Sequence, residues 1–181
     1  MDKKVVILNF SPRSEGNCAK IADFVADFHN RTNVSVHHVH MEPCSNCNYE
    51  CLTPGVVCPN VSDHQKEVMD SVCDSDVAYI IVPNFCGYPC TNYFAYNERM
   101  VGYFNMDRER NGKYLGVKKL FIVVSNTEGD NFRNALQQQT KEEPKIMYMK
   151  TGKYKKRSTA GDIMDSEDAA ADLRAFLEAN N

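Results

Sequence analysis

The sequence predicts an α/β fold in which a five-stranded parallel sheet carries helices on both faces. Three observations favour this fold. Strand-like apolar runs alternate with helical patterns along the chain, two of the runs (Val77–Val82 and Leu120–Val124) contain no charged residue, and polar loops follow the runs. Uncharged strands are typical of the centre of a parallel sheet, because helices cover both of its faces there.

The first elements are a strand at Val5–Leu8, a helix at Asn17–Asn30 and a strand at Val34–His40. The helix is predicted from apolar residues that recur at the spacing of one helix face. The second strand alternates between apolar and polar residues and includes three histidines. A position at the edge of the sheet fits this pattern better than a central one.

The later elements continue the alternation of helices and strands. The pattern predicts a helix at Ser62–Cys73, the uncharged third strand, a helix from about Asn92, the uncharged fourth strand, a further helix, a short strand at Lys145–Met149 and a last helix at Asp165–Ala179. We find no repeat, linker or change of composition that would divide the chain. Residues 1–181 are therefore expected to form a single domain, with a cysteine-rich loop at 43–60.

The composition limits the classes of partner. The 181 residues are 43% hydrophobic and 25% charged, and a net charge of -3 with a pI near 5.9 gives no basic footprint for a nucleic acid. The apolar runs are shorter than the roughly 20 residues of a membrane span, so no membrane partner is expected. The first residues, Asp2 followed by Lys3 and Lys4, do not have the pattern of a signal peptide, and we predict a cytoplasmic protein. Eight cysteines in a reducing compartment indicate thiol or metal chemistry rather than a disulfide framework.

Three polar loops, at 11–18, 83–88 and 125–129, follow the first, third and fourth predicted strands. The carboxyl ends of parallel strands meet at one edge of the sheet, where α/β proteins bind their ligands. The second and third loops offer backbone N–H groups and small side chains, which suit the edge of a flat heteroaromatic ring. We therefore expect these loops to form one binding site.

The first loop leads into a helix, whose free backbone N–H groups and positive dipole end suit a phosphate. Ser11 and Ser14 add hydroxyl donors, and Arg13 adds a charged donor. The loop is neither G-x-G-x-x-G nor G-x-x-x-x-G-K-[ST], so sites for a dinucleotide or a nucleoside triphosphate are not indicated, and a monophosphate such as that of FMN remains. The alternative is a plain connection between strand and helix in which Asn17 caps the helix.

A longer pattern connects these segments. It consists of Leu-x-x-Ser-Pro-Arg-x-x-Gly-Asn at 8–17, the cysteine-rich segment, Pro-x-Phe-x-Gly at 83–87 and Glu-Arg at 98–99. In these residues the chain resembles the NADPH-dependent FMN reductase group of the flavodoxin-like superfamily and, more narrowly, the iron–sulfur flavoproteins. The resemblance in sequence covers about the first hundred residues. After the fourth strand only a similarity of fold remains. It implies a flavodoxin-like fold with strand order 2-1-3-4-5, FMN as the cofactor, NAD(P)H as the reductant and a homo-oligomer, either a dimer or a tetramer.

By position, the resemblance assigns the FMN phosphate to the first loop and the isoalloxazine ring to the other two loops. With Ser14 added for its hydroxyl, the residues expected to hold the phosphate are Ser11, Arg13, Ser14, Gly16, Asn17 and Cys18. The residues expected to border the ring are Pro83, Asn84, Phe85, Cys86, Gly87, Ser125, Asn126, Glu128 and Gly129. The chain departs from the family pattern at Phe10, where glycine is usual, and at Phe85, where tyrosine is usual.

Four cysteines, Cys44, Cys47, Cys51 and Cys58, lie close together, with two, three and six residues between them. A [4Fe–4S] cluster needs four convergent thiolates, and a run this compact can supply them from one loop. The iron–sulfur flavoproteins have a similar run, but with two residues between the second and third cysteines where this chain has three. Thiols without a metal and a zinc ion are the two alternatives, although the usual zinc pattern of two separated cysteine pairs differs from this one.

These observations favour an FMN-dependent oxidoreductase or electron-transfer flavoprotein in which a [4Fe–4S] cluster exchanges electrons with FMN. One alternative is a cluster-free NAD(P)H-dependent FMN or quinone reductase. Others are a flavodoxin-type electron carrier with no substrate of its own and a zinc-stabilised interaction domain. The expected electron donor or acceptor is a small molecule or a ferredoxin-like protein. No side chain is assigned a catalytic acid, base or nucleophile role, because electron and hydride chemistry belongs to the cofactor.

Overall fold

The computed structural model describes residues 3–44, 47–53, 55–56, 58–60, 62–104, 107–127 and 130–181. The strands are β1 (Val5–Asn9), β2 (Val34–His38), β3 (Val77–Phe85), β4 (Tyr88–Pro89), β5 (Lys118–Ser125) and β6 (Lys145–Lys150). Five of them form a parallel sheet in the order β2-β1-β3-β5-β6, and β4 pairs with β3 as a short antiparallel strand. The predicted parallel sheet and its strand order are confirmed, with β5 and β6 as the predicted fourth and fifth strands.

The helices lie in two layers, one on each face of the sheet. They are α1 (Asn17–Phe28), α2 (Gln65–Cys73), α3 (Thr91–Phe104), α4 (Arg108–Gly116), α5 (Asp130–Gln137) and α6 (Glu167–Asn180). The core on one face contains Ile21 of α1 and Leu173 of α6. The core on the other face contains residues of α2, α3, α4 and α5, among them Val68, Tyr96 and Phe132.

The pattern of β1 shows why the central strands are uniformly apolar. Val5 and Ile7 belong to the core beneath α1 and α6, whereas Val6 and Leu8 belong to the opposite core, and all four are almost fully buried. Successive side chains of a strand point to opposite faces, so a strand covered on both sides needs apolar residues at every position. The same constraint applies to β3 and β5, which lie between other strands.

The edge position of β2 is confirmed, but two predicted boundaries are wrong. The strand ends at His38 rather than His40. The following helix, α2, begins at Gln65 rather than Ser62, because His64 has a left-handed backbone with φ 57°. The carboxylate of Asp63 accepts a hydrogen bond from the Gln65 N–H group at 3.3 Å and thereby occupies one of the free donors at the start of the helix.

Helix α4 was not predicted. Its sequence is mostly polar, and Tyr114 is its buried residue, so it has no apolar stripe from which a helix could be read. It begins where the Asp107 carboxylate accepts a hydrogen bond from the Arg110 N–H group at 2.9 Å. Within the described part of the chain, no helix has both the length and the apolar character needed to cross a membrane.

Candidate functional site

The loops that follow β1, β3 and β5 lie side by side, because these three strands are neighbours in the sheet. Side chains in the loops, or next to them in the sequence, connect the loops by hydrogen bonds. The Cys90 thiol and the Asn92 amide both donate to the backbone carbonyl of Phe10, at 3.2 and 3.4 Å. The Asn84 amide donates to Ser125 Oγ at 2.7 Å and to the Thr127 carbonyl at 3.3 Å. The structure therefore brings the first, second and third predicted loops into one connected surface.

The loop after β1 has its shape set by its own polar groups. The Ser11 N–H group donates to Asn9 Oδ1 at 3.0 Å, and Ser11 Oγ accepts from the Arg13 N–H group at 3.2 Å. The ring of His38 also contacts the Ser11 carbonyl at 2.5 Å. The buried Ser11 hydroxyl thus accepts a hydrogen bond within this turn, and Ser11 helps to set the shape of the loop.

The N-terminus of α1 lacks both a side-chain cap and an acidic first turn. Gly16 precedes the helix in an extended conformation, no side chain caps the helix, and its first turn contains no acidic residue. The alternative in which Asn17 caps α1 is therefore not the arrangement observed. A helix start without a cap leaves backbone N–H groups unpaired, and these groups together with the helix dipole favour a negatively charged ligand.

The segment after β6 forms a part of this surface that was not predicted. The Asn17 amide donates to the Ser158 carbonyl at 3.2 Å and accepts from the Ile163 N–H group at 3.0 Å. Arg13 Nη2 donates to the Thr159 carbonyl at 3.0 Å. Arg13 and Asn17, both predicted to hold the phosphate, thus also hold a distant segment against the first loop. No local pattern in the sequence links residues that lie about 140 positions apart, as Asn17 and Ser158 do.

A glycine permits the close approach of that segment. Gly161 has φ +72°, and a β-carbon placed on it would lie 3.3 Å from the Cα atom of Gly16. Both the left-handed backbone and the short distance therefore favour glycine at position 161.

The second loop is a tight hairpin between β3 and β4. Cys86 and Gly87 both have positive φ, at 54° and 88°, as a two-residue hairpin turn with primed geometry requires. The Gly87 N–H group donates to Asn84 Oδ1 at 2.8 Å, so Asn84 supports the hairpin as well as the contact to the third loop. Phe85 and Tyr88 pair across the hairpin and are 54% and 51% exposed. Two aromatic rings therefore lie at the surface of this loop, which we call the rim. Pro83 lies buried within β3, behind this rim.

The third loop begins with the buried Ser125. Its hydroxyl accepts from the Thr127 N–H group at 2.8 Å and donates to the Thr127 carbonyl, while Asn126 is exposed. Asn84 therefore contacts the third loop at Ser125 and Thr127, on either side of Asn126. The other two residues predicted for this loop, Glu128 and Gly129, lie outside the described residues.

Cys18 lies beneath the first loop as a buried thiol. Burial, aided by the neighbouring Cys90, raises the pKa of Cys18 to about 12. Its side chain therefore stays protonated near neutral pH and does not place a negative charge beside the proposed phosphate. The backbone N–H group of Cys18 is therefore better suited than its thiol to binding an anion.

The cysteine loop is held against α3 by a buried ion pair. Arg99 is 2% exposed and donates to the Asp63 carboxylate at 2.5 Å. It also donates to the Glu42 carbonyl and to Gln65 Oε1, both at 3.0 Å, and to the Asn60 carbonyl. One guanidinium thus joins both ends of the loop to the same helix. Burial opposes the charge of Arg99, but the hydrogen bond and charge of Asp63 outweigh it and raise the pKa of Arg99.

The four predicted metal ligands lie near one another in the structure. Burial together with the nearby thiols of Cys47, Cys51 and Cys58 raises the pKa of Cys44. Among the described residues, which include all four cysteines, no group of three or more His, Cys, Asp or Glu side chains is placed to hold a metal ion. Cys44 is exposed whereas Cys47 and Cys51 are buried. Two successive left-handed residues, Asn48 and Tyr49, turn the chain between Cys47 and Cys51. The arrangement does not support the predicted cluster.

Solved structures share this architecture over nearly the whole chain. The Trp repressor binding protein from Bacillus subtilis has 11% sequence identity and a TM-score of 0.64, with 97% of each chain covered. The chain has the flavodoxin-like fold. An apo NADH:FMN oxidoreductase, EMOB, aligns with 14% identity and a TM-score of 0.56 over 98% of this chain and 87% of its own. The flavoenzyme FerB, an NAD(P)H:(acceptor) oxidoreductase from Paracoccus denitrificans, aligns with 14% identity and a TM-score of 0.59 over 97% of this chain and 92% of its own.

The sequence itself matches no protein-family model and no curated protein. At these levels of identity the likeness is one of fold. In the flavodoxin-like fold the chain winds in opposite directions from β1 to β2 and from β2 to β3, and this reversal opens a crevice between the loops that follow β1 and β3. The first and second loops described above are the ones that follow β1 and β3.

The ion pair of Arg99 and Asp63 is the basis of a stability prediction. Arg99→Met and Asp63→Asn should each lower the free energy of unfolding by about 3–5 kcal/mol, because each leaves an uncompensated polar or charged partner buried. Urea denaturation measures the change. Lys66→Met, which removes the exposed pair between Lys66 and Asp70, is the control and should change stability by less than about 1 kcal/mol. Similar losses for the buried and the exposed pair would contradict the proposed anchoring role.

Proposed function

We propose that this chain is an FMN-dependent oxidoreductase that takes electrons from NAD(P)H and reduces a small-molecule acceptor. The observation that carries the proposal is the strand order β2-β1-β3-β5, which places the loops after β1, β3 and β5 side by side at the carboxyl edge of the sheet, with the uncapped start of α1 following the first loop. Flavodoxin-like proteins bind FMN at this reversal of strand order. The oxidoreductase activities named for EMOB and FerB give the proposal independent support.

The first loop fits the phosphate of FMN. Backbone N–H groups of Ser14, Gly16, Asn17 and Cys18, at the start of α1, would donate to the phosphate oxygens, and the exposed Arg13 side chain would add a positive charge. Ser11 would act through the shape of the loop, since its hydroxyl already accepts from the Arg13 N–H group.

The second and third loops fit the edge of the isoalloxazine ring. Asn84, which bridges Ser125 and the hairpin, would fix the spacing between the two loops. The half-exposed rings of Phe85 and Tyr88 would cover the apolar part of the cofactor and exclude water from it. We also propose, from the sequence alone, that Glu128 and Gly129 border the ring.

When bound, FMN accepts a hydride from NAD(P)H and delivers the electrons to an acceptor. The chain's own contribution would be to bind the phosphate, orient the ring and leave one face open at the rim for donor and acceptor in turn. A ferredoxin-like carrier is the alternative partner. We further propose that the protein is a homo-oligomer.

A [4Fe–4S] cluster on Cys44, Cys47, Cys51 and Cys58 is a second candidate component. The four thiols lie close enough to interact electrostatically, which favours a cluster. The described side chains are not placed as metal ligands, which argues against one. The proposed function does not depend on a cluster. Iron analysis of protein purified without oxygen tests the cluster, with about four irons per chain expected if it is present.

Substitutions at Gly16 test the phosphate site. Gly16 has an extended backbone, and a β-carbon there would make only ordinary contacts, 3.6 Å or more, with the Arg13 side chain. Gly16→Asp and Gly16→Asn should both fold, because both residues are good helix caps. The carboxylate of Gly16→Asp should repel the phosphate and weaken FMN binding by about 100-fold relative to Gly16→Asn, since two charges about 4 Å apart interact by a few kcal/mol at a protein surface.

Quenching of FMN fluorescence during titration measures both affinities, and thermal unfolding confirms that both variants are folded. Equal affinities for the two Gly16 variants would place the phosphate elsewhere.

Asn84→Ala tests the contact between the second and third loops. Removing this amide takes away its hydrogen bonds to Ser125 and Gly87, and we expect FMN affinity to fall about 10-fold, since a hydrogen bond typically contributes about 1 kcal/mol. Asn111→Ala, at an exposed position on α4, is the matched control and should bind FMN as the unaltered protein does. Unchanged affinity in Asn84→Ala would remove these loops from the ring site.

NAD(P)H oxidation distinguishes an enzyme from an electron carrier. We expect the FMN-loaded protein alone to oxidise NADH or NADPH when a quinone or free FMN is supplied, which absorbance of the reduced nicotinamide measures. Oxidation that occurs only after a separate reductase is added would identify an electron carrier instead.

A further inference from the structure

A second open space in the structure lies beside the cysteine loop. A groove of about 1170 Å³ is bordered by Cys58 and Asn60 of this loop and by Gly102 and Tyr103 near the end of α3. It does not include the loops after β1, β3 or β5, so the proposed flavin chemistry does not account for it. The groove gives small solutes access to one of the four clustered thiols.

Two cysteines meet at a single point on the wall of this groove. A β-carbon placed on Gly102 would lie 3.4 Å from Cys51 Cβ, 3.6 Å from Cys51 Sγ and 3.7 Å from Cys58 Cβ. The two cysteine β-carbons therefore contact the same empty position, which a larger residue at 102 would fill. A disulfide requires β-carbons about 3.5–4.5 Å apart. Because the β-carbons of Cys51 and Cys58 both lie next to the same position at Gly102, a small movement can bring them to this separation.

The backbone on either side of this pair is held in place. Cys51 belongs to a short 3₁₀ helix, Glu50–Leu52, whose N-terminal neighbour Tyr49 turns the chain. Beyond Cys58, the Asn60 carbonyl and the Asp63 carboxylate both accept hydrogen bonds from Arg99. Arg99 and Gly102 lie one turn apart on α3, so the anchor and the meeting point belong to the same rigid element.

The two thiols differ in their access to solvent. Cys51 is 5% exposed, whereas Cys58 is half-buried and forms part of the groove wall. An accessible thiol beside a buried one is the arrangement in which the first can be oxidised and the second can then displace the oxidised group.

We propose that Cys58 and Cys51 form a redox-active dithiol that reacts with a hydroperoxide entering the groove. The Cys58 sulfur attacks one oxygen of hydrogen peroxide, the O–O bond breaks, and the second oxygen leaves as water with the thiol proton. The Cys51 sulfur then attacks the resulting sulfenic acid, so that an S–S bond forms and the hydroxyl group leaves as a second water. In total two thiols lose two electrons and two protons, and one peroxide becomes two waters. This site functions independently of FMN.

Differential alkylation tests the proposal on the intact protein. The protein is treated with one equivalent of hydrogen peroxide, its free thiols are blocked with iodoacetamide, and the thiols released by dithiothreitol are labelled with N-ethylmaleimide. Chymotryptic cleavage after Leu52 separates Cys51 from Cys58 for mass spectrometry. We expect both residues to carry the maleimide label together, while Cys44 and Cys47 carry the acetamide label.

Single variants assign the two roles. Cys51→Ser should stop at the sulfenic acid of Cys58, which dimedone traps, and Cys58→Ser should leave Cys51 reduced. Cys44→Ser, which removes a neighbouring thiol of the same loop, should still form the disulfide. A disulfide that includes Cys44 or Cys47 would overturn the proposal. So would failure of both thiols to react, or protection of all four in protein that contains about four irons per chain.

Discussion

The candidate site depends on hydrogen bonds that asparagine side chains make along the carboxyl edge of the sheet. Asn9 fixes the first loop, Asn84 joins the second loop to the third, and Asn17 holds the segment after β6 against the start of α1. A carboxyl edge leaves backbone groups that the sheet no longer pairs, and a side-chain amide can donate and accept at once. These contacts join the loops after three neighbouring strands into one connected surface that includes the start of α1.

The main sheet could be predicted because its constraint is local in the sequence. The middle of each central strand is covered on both faces and must be apolar, so Val5–Leu8, Val77–Val82 and Leu120–Val124 show as apolar runs, and the polar β2 could be placed at an edge. Helix α4 lacks an apolar stripe, and the two-residue β4 is shorter than any pattern that periodicity can detect. Helix α4 and strand β4 both depend on tertiary contacts, which cannot be predicted from local sequence preference.

The candidate site was predictable to a similar extent. The loops at the carboxyl edge follow from the strand order, so the placement of Ser11, Asn84 and Ser125 at this edge could be expected from the sequence. The contacts of Ser158 and Thr159 with the first loop were not found, because only the folded chain brings them together. The cysteine spacing indicated neighbouring thiols. The position of each thiol depends instead on α3, where Arg99 binds the loop and Gly102 leaves space for two of them.

The most direct test of the central claim is the visible absorbance spectrum of the protein purified without oxygen and then supplied with FMN. We expect flavin bands that remain with the protein after gel filtration, in about one equivalent per chain, and that bleach when NADH or NADPH is added. A protein that emerges without flavin bands after saturation with FMN would contradict an FMN site at the carboxyl edge of this sheet.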